Sequence, residues 1–141
     1  MKTSSVDSFL ARNLESLLRW SFAIVYVWFG ALKLVDLSPA HDLVELTLSW
    51  TSISTVVTVL GVCEVILGVM FLVPKLTKVT LVLFVVHMAG TFIPIVGGFA
   101  VAYTAVPYGL TLVGQYIIKN LVFLAASASL YLTWRKRTLP S

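Results

Sequence analysis

The feature that most constrains this chain is the run from Ile53 to Val73, about 21 residues, almost all apolar, with Glu64 near its middle. A run of that length and hydropathy crosses a bilayer, which puts the acid deep in hydrocarbon. An ionised carboxylate at that depth is costly unless it faces the protein interior and meets a partner, or keeps its proton. The other long apolar segments offer three ionisable candidates for that partner: Lys33, His87 and Lys119.

The 141-residue chain is 59 % hydrophobic and 11 % charged, too apolar for a soluble surface and long enough for one compact domain. These proportions predict an integral membrane protein with the lipid bilayer as its first partner. The formal charge of +4 is not a nucleic-acid footprint, because the basic residues gather at the ends of apolar runs, where membrane topology uses them. Nucleic acid is therefore not an expected partner. Cys63 is the only cysteine, which excludes an internal disulfide, a C-x-x-C pair and a thiolate-rich metal site. Charged residues continue to Arg19 and no small-residue cleavage site follows, so the first apolar run is expected to stay as an anchor.

From Val6 to Leu18 the apolar residues recur at helical spacing, with Asp7, Arg12, Glu15 and Arg19 on the other side. This predicts an N-terminal amphipathic helix in the interface, running into a first span at 20–35. Lys33 lies near the far end of that span, where snorkelling to the headgroups accounts for it. Ser38 and Pro39 start a short outer-face interfacial helix, whose His41, Asp42 and Glu45 need no metal to explain them. The second span, 53–73, ends at Pro74 in a turn with Lys75 and Lys78. The third, 79–96, has His87 near its centre and a kink expected at Pro94. An uncharged connection, Gly97 to Thr111, leads to the fourth span, 112–132, which carries Gln115, Lys119 and Asn120, then the small residues Ala125 to Ser129. Trp20, Trp50 and Trp134 read as interfacial anchors.

The N-terminal segment holds three Lys or Arg residues, the turn after the second span two and the C-terminal tail three, while the other two connections hold none. The fold class expected is thus an all-α membrane four-helix bundle with both termini cytoplasmic. At about 1.5 Å per residue, Lys33 falls roughly 5 Å and Lys119 roughly 10 Å below the outer surface, with Glu64 and His87 roughly 16 to 18 Å deep. This arithmetic predicts a cluster in which Glu64 pairs with Lys119 and His87 exchanges a proton with the carboxylate or a ligand. Glu64, His87 and Lys119 are the candidate catalytic residues. Lys33, Gly61, Gly68, Gln115 and Asn120 are the candidate ligand contacts, the two glycines because they share a face with Glu64 where a helix or ligand comes close. The competing readings are a buried pair that only fixes helix register, and a neutral His87 bonded to a hydroxyl such as that of Thr91.

The pattern Arg19, then Gly30-Ala31-Leu32-Lys33, then Gly61-x-x-Glu64-x-x-x-Gly68, then Gly114-Gln115-Tyr116-Ile117-Ile118-Lys119-Asn120 resembles the DoxX-like family of small bacterial four-span membrane proteins. The resemblance runs from Arg19 to Leu132. It implies a four-helix protein of the bacterial inner membrane, with shared polar positions at Lys33, Glu64 and Lys119. Some relatives are linked to respiratory or sulfur redox chemistry, others to oxidative-stress defence. The lack of a cysteine pair leaves sulfur chemistry here without a protein thiol partner.

Three functions follow as expectations. The first is a redox-associated subunit that binds a quinone or similar small apolar ligand at the Glu/Lys/His cluster, with no covalently bound cofactor and no metal. The second is a non-catalytic accessory subunit, held by other membrane proteins or by copies of itself. The third is proton-coupled transport of a small solute, for which four spans without an internal repeat give little material.

Overall fold

The computed structural model describes residues 4–38 and 53–138. The segment holding the expected interfacial helix, with His41, Asp42, Glu45 and Trp50, lies outside the described residues. Helix α1 spans Ser5–Leu34 without a break. The amphipathic stretch runs into the first apolar segment as expected, and because no glycine or proline between Val6 and Phe29 interrupts the ladder the two pieces form one rod. Ser4 starts it with a reciprocal cap: its hydroxyl accepts from the Asp7 N–H and the Asp7 carboxylate accepts from the Ser4 N–H. Its last turn closes with a bond from Leu37 N to Leu32 O, and Asp36 takes the left-handed conformation at φ 55° that this closure requires.

Helix α2 spans Ile53–Phe71 and a single 3₁₀ turn, Pro74–Leu76, leads into α3 at Thr77–Thr91. The ladder stops at Phe92, one residue before the short α4, Ile93–Val96, where Pro94 lacks the N–H that would continue it. The expected kink is thus an interruption. The uncharged connection is more ordered than a loop: β1, Tyr103–Ala105, pairs antiparallel with β2, Gly109–Leu110. Thr111 anchors this hairpin by donating to Val101 O at 2.6 Å and caps the next helix by accepting from Gly114 N. The fourth segment is two helices, α5 at Leu112–Ile118 and α6 at Leu121–Thr138, rather than the single span expected.

Four segments, Ser5–Leu34, Ser54–Phe71, Pro74–Val96 and Leu112–Thr138, are long and apolar enough to cross a membrane. α1 packs on α2 and α6, and α3 packs on the same two, so the long helices close into a four-membered bundle. Its core is an aromatic stack. Phe22 lies parallel to Phe71 with ring centroids 4.4 Å apart, and Phe84 meets both edge-on at 5.3 and 5.7 Å. Leu67, Leu81, Met88 and Leu130 complete it. In the small-residue patch of α6, Ser127 is the buried member, its hydroxyl donating to Leu124 O at 2.8 Å. Outside the bundle the helices are greasy, with Trp20, Ile24 and Trp28 exposed along α1.

Candidate functional site

The site is built on a close contact between two helix backbones. α1 and α2 run antiparallel with Phe22 opposite Phe71 and Gly30 opposite Gly61. A Cβ on Gly30 would stand 2.7 Å from Gly61 O, one on Gly61 2.9 Å from Gly30 O, and one on Gly68 2.8 Å from Val27 Cγ2. Only glycine lets the two backbones approach this far. Gly61 and Gly68, expected to mark the close approach of a helix or a ligand, lie against α1. The same seam carries the Lys33 stem onto α2, since a Cβ on Gly61 would also lie 2.9 Å from Lys33 Cβ.

From that seam Lys33 Nζ donates to Glu64 Oε2 at 2.6 Å. The other carboxylate oxygen, Oε1, lies 3.3 Å from His87 Nε2 on α3. Glu64 thus joins three helices through one side chain. All three side chains are nearly buried, retaining 10 to 15 % of their surface. Tyr26, two turns before Lys33 on α1, presents its ring to His87 in an edge contact with centroids 5.6 Å apart. It is 5 % exposed, and its hydroxyl is buried without a hydrogen-bond partner among the described residues. A buried hydroxyl left in that state costs about 1 to 3 kcal/mol.

Two expectations are corrected here. Lys33 reaches inward to Glu64 instead of snorkelling outward, and the Glu64–Lys119 pair does not form. Lys119 is exposed, with Nζ 4.2 Å above the Tyr116 ring, and it lines an open pocket of about 310 Å³ with Leu112, Gln115 and Tyr116. The fourth segment breaks at Lys119 and Asn120, where Asn120 N bonds Ile117 O and Val122 N bonds Lys119 O in tighter three-residue steps. That break is where the α-helical ladder expected to carry Lys119 toward Glu64 is lost. Asn120 sits half-buried at the break and Gln115 faces outward. The Thr91 hydroxyl donates to Met88 O at 2.8 Å, so the partner shown for His87 is Glu64.

No family profile, curated protein or solved structure matches this chain. Chemistry must therefore be read from the geometry. A carboxylate whose two oxygens face different nitrogen bases can pass a proton between them, and a free phenolic hydroxyl beside it can donate to an incoming carbonyl oxygen. The arrangement does not suit a metal, because the Lys33 ammonium already occupies Oε2. No group of three His, Cys, Asp or Glu that could hold a metal occurs among the described residues.

A second buried polar cluster went unread in the sequence. Glu15 and Arg19, assigned there to the polar face of an interfacial helix, are 6 and 5 % exposed. Arg19 donates to Glu15 Oε1 through Nε and Nη2 at 2.9 and 2.8 Å, to Phe71 O at 2.9 Å and to Thr77 Oγ1 at 2.6 Å. Its signal was the Glu–Arg spacing of four at the edge of an apolar run, facing a helix end with a threonine beside it.

Proposed function

We propose that this chain is a four-span protein of a bacterial inner membrane, similar in kind to the DoxX-like proteins, and that Tyr26, Glu64 and His87, with Lys33, form a proton-handling site for a quinone or comparable small apolar carbonyl compound. The observation that carries the reading is the unpaired buried hydroxyl of Tyr26, whose ring packs edge-on against His87, itself 3.3 Å from a carboxylate that holds Lys33 on its other oxygen. Buried polar groups are normally satisfied, so a buried hydroxyl that is not keeps a donor available to a ligand oxygen. A quinone, when bound, supplies the reversible two-electron chemistry at a carbonyl. Tyr26 donates to an acceptor oxygen, His87 relays a proton, and Glu64 holds that proton against the Lys33 charge. The motifs between Arg19 and Leu132 support the same reading. The basic residues at both ends of the chain and in the turn after α2 favour cytoplasmic termini, and the exposed apolar faces of α1 and α3 suit lipid, another membrane subunit or a second copy.

The test is to purify the protein in mild detergent, extract it with organic solvent and identify bound small molecules by mass spectrometry. The reading expects one quinone per chain in the wild type and its loss in Glu64→Gln. A protein partner without a ligand, unaffected by that substitution, would contradict it.

A second reading, an accessory subunit in which Lys33 and Glu64 only lock helix register, is favoured by one observation: the pair sits directly on the Gly30–Gly61 seam. It expects the matched replacement Lys33→Met with Glu64→Met to leave partner assembly intact, since a well-packed apolar pair can replace a buried ion pair.

A further inference from the structure

The far end of the bundle from Glu64 carries an open pocket of about 490 Å³, walled by Pro74 and Trp134 and lined by Glu15, Lys75, Arg137 and Thr138. Its charges do not balance. Glu15 Oε1 is taken by Arg19, and Oε2 lies 3.2 Å from Arg137 Nη1, so one carboxylate is shared by two guanidiniums while Lys75 adds a third positive charge. Arg137 is the half-open member: Nη2 donates to Arg12 O at 3.4 Å, yet 56 % of its side chain remains exposed. The same end holds Arg12, Lys78, Arg135 and Lys136, and Asp7 is its other acid among the described residues.

We propose that this pocket binds the phosphate of an anionic phospholipid headgroup, with Lys75 and Arg137 as its contacts. The guanidinium fork of Arg137 is already oriented by Glu15 and Arg12 O, so it meets a phosphate at little cost in side-chain freedom. Trp134 and Pro74 give the pocket an apolar wall that a glycerol backbone and the first acyl carbons cover and a free phosphate ion leaves bare. Basic pockets between spanning helices at the cytoplasmic surface are suited to such headgroups. The proposal rests on the membrane-spanning reading and is independent of the ligand assigned to Glu64.

The experiment uses the full chain in nanodiscs of phosphatidylcholine, with phosphatidylglycerol titrated in and retained lipid counted by native mass spectrometry. Incorporation into the phosphatidylcholine discs reports membrane insertion by itself, so its failure is told apart from failure of the site. The expected result is preferential retention of phosphatidylglycerol, falling about fivefold for Lys75→Gln and again for Arg137→Gln, with Lys136→Gln, outside the pocket, unchanged. Because Arg137 touches Glu15 and its loss can disturb folding, the exposed Lys75→Gln variant, checked for wild-type helicity by circular dichroism, carries the test alone if needed. Equal retention of the two lipids overturns the proposal. So does an equal loss in Lys136→Gln, which would mean diffuse attraction to a basic surface. Displacement of the lipid by millimolar inorganic phosphate would also overturn it, by assigning the pocket to a free ion.

Discussion

The bundle buries two polar clusters, and they are finished to different degrees. Around Arg19 the guanidinium donates to Glu15, to the Phe71 carbonyl at the end of α2 and to the Thr77 hydroxyl at the start of α3. Around Glu64 two bases share one carboxylate, each member keeps a tenth or more of its side-chain surface, and the neighbouring Tyr26 hydroxyl bonds nothing among the described residues. The Arg19 network ties three helices' ends and faces together, yet its Glu15 Oε2 makes no hydrogen bond among the described residues. A buried polar atom left without a hydrogen bond costs stability, least where an opposite charge stands beside it. Each cluster thus keeps a buried polar atom without a hydrogen bond among the described residues, and the setting is what differs: Glu15 Oε2 has the Arg137 guanidinium beside it at 3.2 Å, while the Tyr26 hydroxyl belongs to a ring packed edge-on against His87.

Substitutions can break or sharpen this contrast. The largest loss of stability belongs to Arg19→Leu, about 3 to 5 kcal/mol, because the buried Glu15 is left with only the half-exposed Arg137 beside it and Phe71 O loses its donor; unfolding in a mixed-micelle denaturant titration measures it. Ligand binding at Glu64 should change only as far as folding does. Gly61→Leu should follow at about 3 kcal/mol, since the α1–α2 seam must open to admit the side chain. A wild-type melting profile for it would mean that the two backbones are not in contact. Glu64→Gln should cost less, about 2 kcal/mol, as Lys33 keeps an amide oxygen to donate to, yet abolish binding. Lys119→Gln should change neither property, within about 0.5 kcal/mol for an exposed side chain. A loss of binding there equal to that of Glu64→Gln would return Lys119 to the site.

How far the sequence revealed this site depends on the residue. Glu64 was legible because an acid inside a long apolar run has few explanations, and His87 because depth arithmetic brings it to the same level. Lys33 and Lys119 were exchanged in that arithmetic for two physical reasons. Rise per residue locates Cα atoms and ignores the four-carbon stem of a lysine, which lets Lys33 reach down the Gly30–Gly61 seam. It also assumes an unbroken fourth helix, whereas the ladder breaks at Lys119 itself. The glycines were read correctly as marks of close approach, but spacing alone does not say whether helix or ligand approaches. The Arg19 cluster was hidden for a related reason: a charge on the polar face of an amphipathic helix looks solvated until the helix end packed over it is known. Tyr26 carries no distinguishing mark in the sequence, since no periodicity reports whether a hydroxyl finds a partner.

The most direct test of the Tyr26–Glu64–His87 site is the pair of quantities measured on Tyr26→Phe: its stability in detergent and the quinone retained through purification. An unpaired buried hydroxyl held for a ligand predicts a variant at least as stable as the wild type, by up to about 1 to 3 kcal/mol, that has lost its bound quinone. A variant that is destabilised, or that keeps the ligand in full, would mean that the Tyr26 hydroxyl is not part of a binding site.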